Sequence, residues 1–249
     1  MQRLESAPDK NQNRQQALAD LFQSVGCKPT LQPVKHTKAA NVICVLPGQT
    51  DEVVIVGGHF DHVSRGNGIV DDWSGAALLP SLYESLKNID HRYTLVFVGF
   101  AEEEMGLVGS NFYVHEMTKE DRVKTAAMVN IECLGLTPTK VWLSHSDRPL
   151  LEALARVAAG MKLEVQGVNV ERVGTADSES FAAVKIPRIT IHSITQETFH
   201  VLHSTDDSIK AVHPDQYYES YRLIAGFLSA IDTVYQRNPA AKTTVSAGK

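Results

Sequence analysis

Four short runs constrain this chain more than anything else in it: Val53-Val54-Ile55-Val56-Gly57-Gly58, Leu95-Val96-Phe97-Val98-Gly99-Phe100, Ala126-Ala127-Met128-Val129-Asn130-Ile131 and Arg188-Ile189-Thr190-Ile191-His192. Apolar stretches this short, without polar alternation and separated by helical patterns, predict strands of a parallel sheet buried on both faces. Right-handed crossovers place the carboxyl ends of such strands at one edge, where open α/β sheets bind their ligands. His59 and Glu132 directly follow two of the runs, the acids Glu102 to Glu104 follow a third after Ala101, and His203 lies in the loop after the fourth. Residues far apart in sequence are thereby expected to share one pocket.

A chain of 249 residues, 43% of them hydrophobic and 21% charged, can bury one large core, and a single domain ending near residue 237 is expected. The formal net charge of -5, with no basic block, argues against nucleic-acid binding, which needs clustered cations to displace counterions. No run approaches the roughly 18 apolar residues that a membrane span requires, and the polar start Met1-Gln2-Arg3-Leu4-Glu5 lacks a signal-peptide core. Cys27, Cys44 and Cys133 are too scattered for a thiolate metal site and read as buried thiols in preference to a Cys27–Cys44 bridge.

Leu18, Leu21, Phe22 and Val25 form an apolar stripe that predicts a helix over 11–25, closed by Gly26. A strand over Asn41 to Leu46 ends at Pro47-Gly48, and pairing with the strand that begins near Glu52 is expected. Residues Ser74 to Lys87 read as a helix, although Pro80 within it would cost a hydrogen bond. Further helices are expected around Leu151 to Ala158, over Ser180 to Val184, and from Pro214 through the stripe Tyr217, Tyr221, Ile224, Leu228, Ile231 and Tyr235. Beyond Asn238 the tail has little to bury, and disorder is expected there.

Each chemical group has a bland reading when taken alone. A histidine after a strand is an ordinary hydrogen-bonding group, Asp71-Asp72 can cap a helix start, and three glutamates can be a solvated face. Three consecutive acids after a strand as apolar as Leu95 to Phe100 are nevertheless unfavourable without cations, because an unpaired buried carboxylate is costly. Oxygen and imidazole donors without thiolate suit Zn²⁺, and two such ions about 3.5–4 Å apart can hold one activated water.

The segment from Gly58 to Ser110, with Glu132 and His203 following in order, resembles the di-zinc aminopeptidase family that includes bacterial leucyl aminopeptidases and is related to glutamate carboxypeptidase and glutaminyl cyclase. The motifs are H-x-D at His59, D-D-x-S-G at Asp71, E-E-x-G-L-x-G-S at Glu103, the strand-end acid Glu132 and H-[ST]-x-x-D-[ST] at His203. The resemblance implies a three-layer α/β/α fold of the zinc-peptidase (phosphorylase/hydrolase-like) type, with a mixed but mostly parallel central sheet. It implies two zinc ions bridged by Asp71, with Glu104 and His203 completing one site and His59 and Glu132 the other. Glu103 would be the general base, Asp61 would hold the other ring nitrogen of His59, and the Asp71–Asp72 peptide bond would be cis. The implied reaction is hydrolysis of the N-terminal peptide bond of a substrate with a free amino end, by a hydroxide held between the metals.

Two departures stand out. Glu132 replaces the family's usual aspartate, and the segment around Asp177 lacks the histidine of the family's S-D-H-x-x-F pattern, although Asp177 can still line the pocket. A glutaminyl cyclase-like acyltransferase and a carboxypeptidase are therefore competing expectations, and a metal-binding domain without catalysis is a third. Relatives without a lid domain are often exported, which implies a periplasmic or secreted location.

Overall fold

The structure, a computed structural model, describes residues 1–170 and 174–236. The tail beyond Asn238 lies outside the described residues. In chain order the elements are α1 (Gln2–Glu5), α2 (Asn11–Ser24), β1 (Thr30–Pro33), β2 (Ala40–Leu46), β3 (Val53–His59), α3 (Ser74–Ala76), α4 (Leu78–Leu86), β4 (Thr94–Phe100), α5 (Val108–Glu116), α6 (Lys119–Lys124), β5 (Thr125–Ile131), β6 (Lys140–Trp142), α7 (Arg148–Met161), β7 (Gln166–Val168), α8 (Ser178–Ala182), β8 (Arg188–His192) and α9 (Pro214–Val234).

The strands form one mixed sheet in the order β1-β2-β4-β3-β5-β8-β6-β7. Its centre, β4-β3-β5-β8, is parallel throughout, and these are the four apolar runs of the sequence. Alternate residues feed two cores. Val54, Val56, Leu95, Phe97, Val129 and Ile131 face a large apolar layer shared with α2, α4, α7 and α9, whereas Ile55, Val96, Val98, Phe100 and Met128 face a smaller one with Val114 of α5 and Phe181 of α8. Polar faces have no place on such strands, which is why the runs lack alternation. The architecture is therefore the three-layer α/β/α sandwich that the resemblance implies.

Three expectations are corrected. β2 does not pair with β3, because β4 lies between them, antiparallel to β2 and parallel to β3. The 47–52 connection spans that slot by bonding to the lead-in of β4: Gly48 N–H donates to Thr94 Oγ1 at 3.0 Å and Gln49 N–H to the carbonyl of His91 at 2.8 Å. Cys27 and Cys44 form a disulfide and are not free thiols. The chain turns at Gly26 after α2 and returns as β1, whose Thr30 pairs with Ile43, so the two cysteine Cα atoms come within 6.4 Å. The helix expected across Ser74 to Lys87 breaks at Ala77, and Pro80 then falls in the first turn of α4, where a missing N–H has no partner to lose.

The last helix follows its pattern closely. Pro214 occupies its first turn, and Tyr217, Ile224, Phe227, Leu228 and Ile231 are buried along one face.

Candidate metal centre

The carboxyl ends of the parallel strands deliver the candidate residues to one edge. His59 is the last residue of β3, Glu102 to Glu104 follow β4 after Ala101, and Glu132 follows β5. At Glu102, Cys133 and His203 the backbone turns through the left-handed region, with φ of 55°, 50° and 54°. Non-glycine residues occupy that region at a cost of roughly 1–3 kcal/mol each and persist where the surroundings hold them there. The Asp71–Asp72 peptide bond is cis.

Asp71 stands at the middle of the cluster. Its Oδ1 lies 3.3 Å from His59 Nε2 and its Oδ2 lies 3.2 Å from His203 Nε2, which is in turn 3.0 Å from Glu104 Oε2. Glu103 Oε2 is 3.9 Å from His59 Nε2. Among the described residues, Asp71, Glu104 and His203 form a set whose ligand atoms all lie within 4.8 Å of one another, close enough to share one cation. The second set is assembled in part: His59 and Asp71 meet, whereas the buried Glu132 accepts a hydrogen bond at Oε2 from Asn130 Nδ2 at 3.0 Å. The Cys133 thiol approaches Asp71 Oδ1 at 3.5 Å.

The electrostatics are those of crowded acids. Burial, together with the negative charges of Asp177, Asp71 and Glu104, pushes Glu103 up to about 8. Burial and Asp71 push Glu104 up to about 7, and burial holds Glu132 well above the usual carboxylate range. A hydrogen bond to Asp71 raises His203 to about 9, while His59 is raised because nearby Glu103, Asp61 and Asp71 outweigh its own burial. Asp71 itself is depressed, because the two imidazoles outweigh burial. Among the described residues no lysine or arginine pairs with this cluster, and the buried Oε1 of Glu104 has no hydrogen-bond partner. Oxygen and nitrogen donors with surplus negative charge and an orphaned carboxylate oxygen fit a divalent cation.

The supporting residues differ from expectation in detail. Asp61 Oδ1 lies 3.6 Å from His59 Nδ1, beyond hydrogen-bond reach, and the ring nitrogen is closer to the Asp61 carbonyl at 3.2 Å. The Asp61 carboxylate instead accepts the backbone N–H groups of Glu103 at 3.0 Å and Glu104 at 3.1 Å, fixing the two glutamates in register. Asp72 takes the structural role open to one of the paired acids: its Oδ1 accepts N–H groups from Gly75 and Cys133, both at 2.9 Å, tying the start of α3 to the end of β5. Asp177 lies buried before α8 and is pushed up to about 6 by burial.

One buried residue, Arg14, escaped the sequence reading, and a second, Asp207, entered it only as the aspartate of the His203 motif. Arg14 and Asp207 are both buried and both hold the loop that carries Asp71. The signal for Arg14 was a charge four residues before Leu18 and eight before Phe22, on the apolar stripe of its helix. Asp207 was visible as the aspartate of the H-[ST]-x-x-D-[ST] motif, with nothing to show that it serves the loop before Asp71.

Comparison with known proteins agrees with this geometry. The chain is 29% identical over 170 residues to leupeptin-inactivating enzyme 1 of Streptomyces exfoliatus, covering 66% of this chain and 38% of that protein. It is 34% identical over 103 residues to aminopeptidase Y of Saccharomyces cerevisiae, covering 41% and 19%. Its matched part therefore spans well under half the length of these curated relatives. The fold resembles that of BSAP, a zinc aminopeptidase from Bacillus subtilis, with a TM-score of 0.70, 20% identity and coverage of 76% and 49% of the two chains. The model of peptidase family M28 matches residues 41–228, more than half of the sequence. The chain belongs to peptidase family M28.

Proposed function

We propose that this protein is a zinc-dependent exopeptidase that removes residues from the free amino ends of peptides. The observation that carries this reading is the meeting of His59, Asp71, Glu104 and His203, with Glu103 alongside, at the carboxyl edge of a parallel sheet. The names of the relatives, among them an aminopeptidase and a zinc aminopeptidase, support the same reading.

Asp71, Glu104 and His203 would hold one zinc, and His59, Asp71 and Glu132 a second. Bound there, zinc supplies Lewis acidity that polarises a carbonyl and acidifies water. Glu103 is the general base: its Oε2 stands 3.9 Å from His59 Nε2 beside the candidate ligands, where a carboxylate can take a proton from water and pass it to a leaving amine. Asp61 keeps Glu103 and Glu104 facing different imidazoles. The acidic surroundings, with Asp177 at their margin, favour a protonated amino terminus over a carboxylate.

An exported location accompanies this proposal, supported by the Cys27–Cys44 disulfide, since such bonds persist in oxidising compartments. Among the described residues no helix is long and apolar enough to cross a membrane.

The test is hydrolysis of an aminoacyl-anilide panel, abolished by a chelator and restored by zinc. A peptide with N-terminal glutamine serves as the companion substrate. Release of ammonia in place of a free residue would replace this reading with a cyclase, and failure on the whole panel with metal bound would remove it.

A further inference from the structure

Residues 67–71, which lead to and include Asp71, have backbone groups held by two buried residues of opposite charge from distant parts of the sequence. Arg14 of α2 is wholly buried, with its guanidinium centre 5.4 Å from the Trp73 ring centroid. Its Nη1 donates to the carbonyls of Gly68 at 2.9 Å and Phe60 at 3.1 Å, its Nη2 to that of Asn67, and its Nε to that of Pro8 at 2.9 Å. Asp207, four residues beyond His203, is 2% exposed. Its Oδ1 accepts the N–H groups of Val70 at 2.7 Å and Ile69 at 2.9 Å, and its Oδ2 that of Asp71 at 3.4 Å, while its carbonyl accepts from Asn67 N–H at 2.9 Å.

The loop is shaped to be held this way. Gly66 and Gly68 have φ of +91° and +53°, and a Cβ at either would overlap the Ser204 carbonyl or the His62 side chain, respectively. The carbonyls of Asn67 and Gly68 thus point to the guanidinium and the amides of Ile69, Val70 and Asp71 to the carboxylate. Closing a loop for stability alone does not call for buried charge, because well-packed apolar residues serve as well or better. A planar fork and a carboxylate are suited to fixing individual backbone groups, and so the direction in which the next side chain leaves the backbone.

We propose that Arg14 and Asp207 are positioning residues for Asp71, acting from opposite sides of its loop, so that metal retention depends on a helix outside the family-matched residues 41–228. The inference rests on the reading above in which Asp71 holds metal. Because Asp207 belongs to the turn that presents His203, the same clamp ties two ligands of one candidate set together.

The experiment measures cobalt(II) binding to the full chain by chelator competition and by the visible absorption of the bound ion, with thermal stability recorded in parallel. Arg14→Met and Asp207→Asn should each weaken cobalt binding at least tenfold and alter the absorption band, the scale seen when groups supporting a ligand are removed. Leu18→Ala, a cavity in the same helix, should lose stability yet bind cobalt like the wild type. Arg14→Lys, which keeps the charge but not the fork, should bind as weakly as Arg14→Met and carries the test if the methionine variant does not fold. Cobalt affinities within twofold of wild type in Asp207→Asn and Arg14→Lys would overturn the clamp, as would an equal loss in Leu18→Ala. A wild-type protein that binds no cobalt or zinc would instead overturn the metal reading, and the clamp with it.

Discussion

Glu103 faces His59 across 3.9 Å while its neighbour Glu104 faces His203 at 3.0 Å, so adjacent carboxylates serve different imidazoles. Asp61 makes the division possible by accepting a hydrogen bond from each of their backbone amides. A residue that touches the cluster without belonging to its three-ligand set is the natural place for proton transfer.

Glu103→Gln keeps the size of the side chain and removes its basicity. Metal content should stay at the wild-type value while kcat on a cleaved anilide falls roughly a hundredfold or more, the usual scale of general-base catalysis. Wild-type turnover in a metal-replete variant would take the role away from Glu103.

Metal removal should be visible in stability as well as in rate. Cations that bind the folded cluster and not the unfolded chain stabilise by about 2.7 kcal/mol at a free concentration one hundred times Kd. Treatment with a chelator should therefore lower Tm, and zinc should restore it in a concentration-dependent manner. A Tm indifferent to both would be incompatible with a metal held by Asp71, Glu104 and His203.

His192 gives a pH dependence whose sign is fixed by burial. Burial pushes its ring from 6.5 down to about 3, and Ile194 N–H donates to its Nδ1 at 3.0 Å, which requires that nitrogen to be unprotonated. Its pKa is depressed on folding, so the unfolded chain takes up a proton below pH 6.5 that the folded chain refuses, and stability is lost as pH falls towards 3. Between pH 7 and pH 5 this costs roughly 2 kcal/mol. Urea unfolding of His192→Gln should show a shallower loss over that interval, by about this amount; parallel slopes in the two proteins would show that His192 does not contribute.

The Cys27–Cys44 bridge closes a loop with a sequence separation of 17 residues. Chain-entropy reasoning gives about 3 kcal/mol for a loop of that size. Reduction, or Cys27→Ser with Cys44→Ser, should lower the unfolding free energy by that order while leaving zinc binding in place. An identical denaturation midpoint with and without reductant would show that the bond is not formed.

Much of the fold was legible because the central strands are buried on both sides and their sequence has no room for polar residues. The edge position of His59, Glu104 and Glu132 followed from topology alone. What remained hidden depended on spatial neighbours. The short 47–52 link looks like a hairpin until β4 is seen to occupy the intervening position, and Cys27 meets Cys44 only because β1 folds back beside β2. Pro80 conflicted with a single long helix and fits two short ones. Asp61 was recognised as an orienting group near His59, but the hydrogen bonds its carboxylate accepts from the two glutamate amides across the edge were not foreseen. The buried arginine on α2 could have been suspected from its place on the apolar stripe, but which carbonyls it serves is not written in any local pattern.

The position of β3 has a consequence for synthesis. Both of its neighbours, β4 and β5, come later in the chain, beginning at Thr94 and Thr125. On the ribosome, the strand that ends in His59 therefore emerges with two unpaired edges and stays so until about thirty-five further residues have been made. At about 5–20 residues per second that exposure lasts a few seconds, long enough for chaperones or another nascent chain to reach it first.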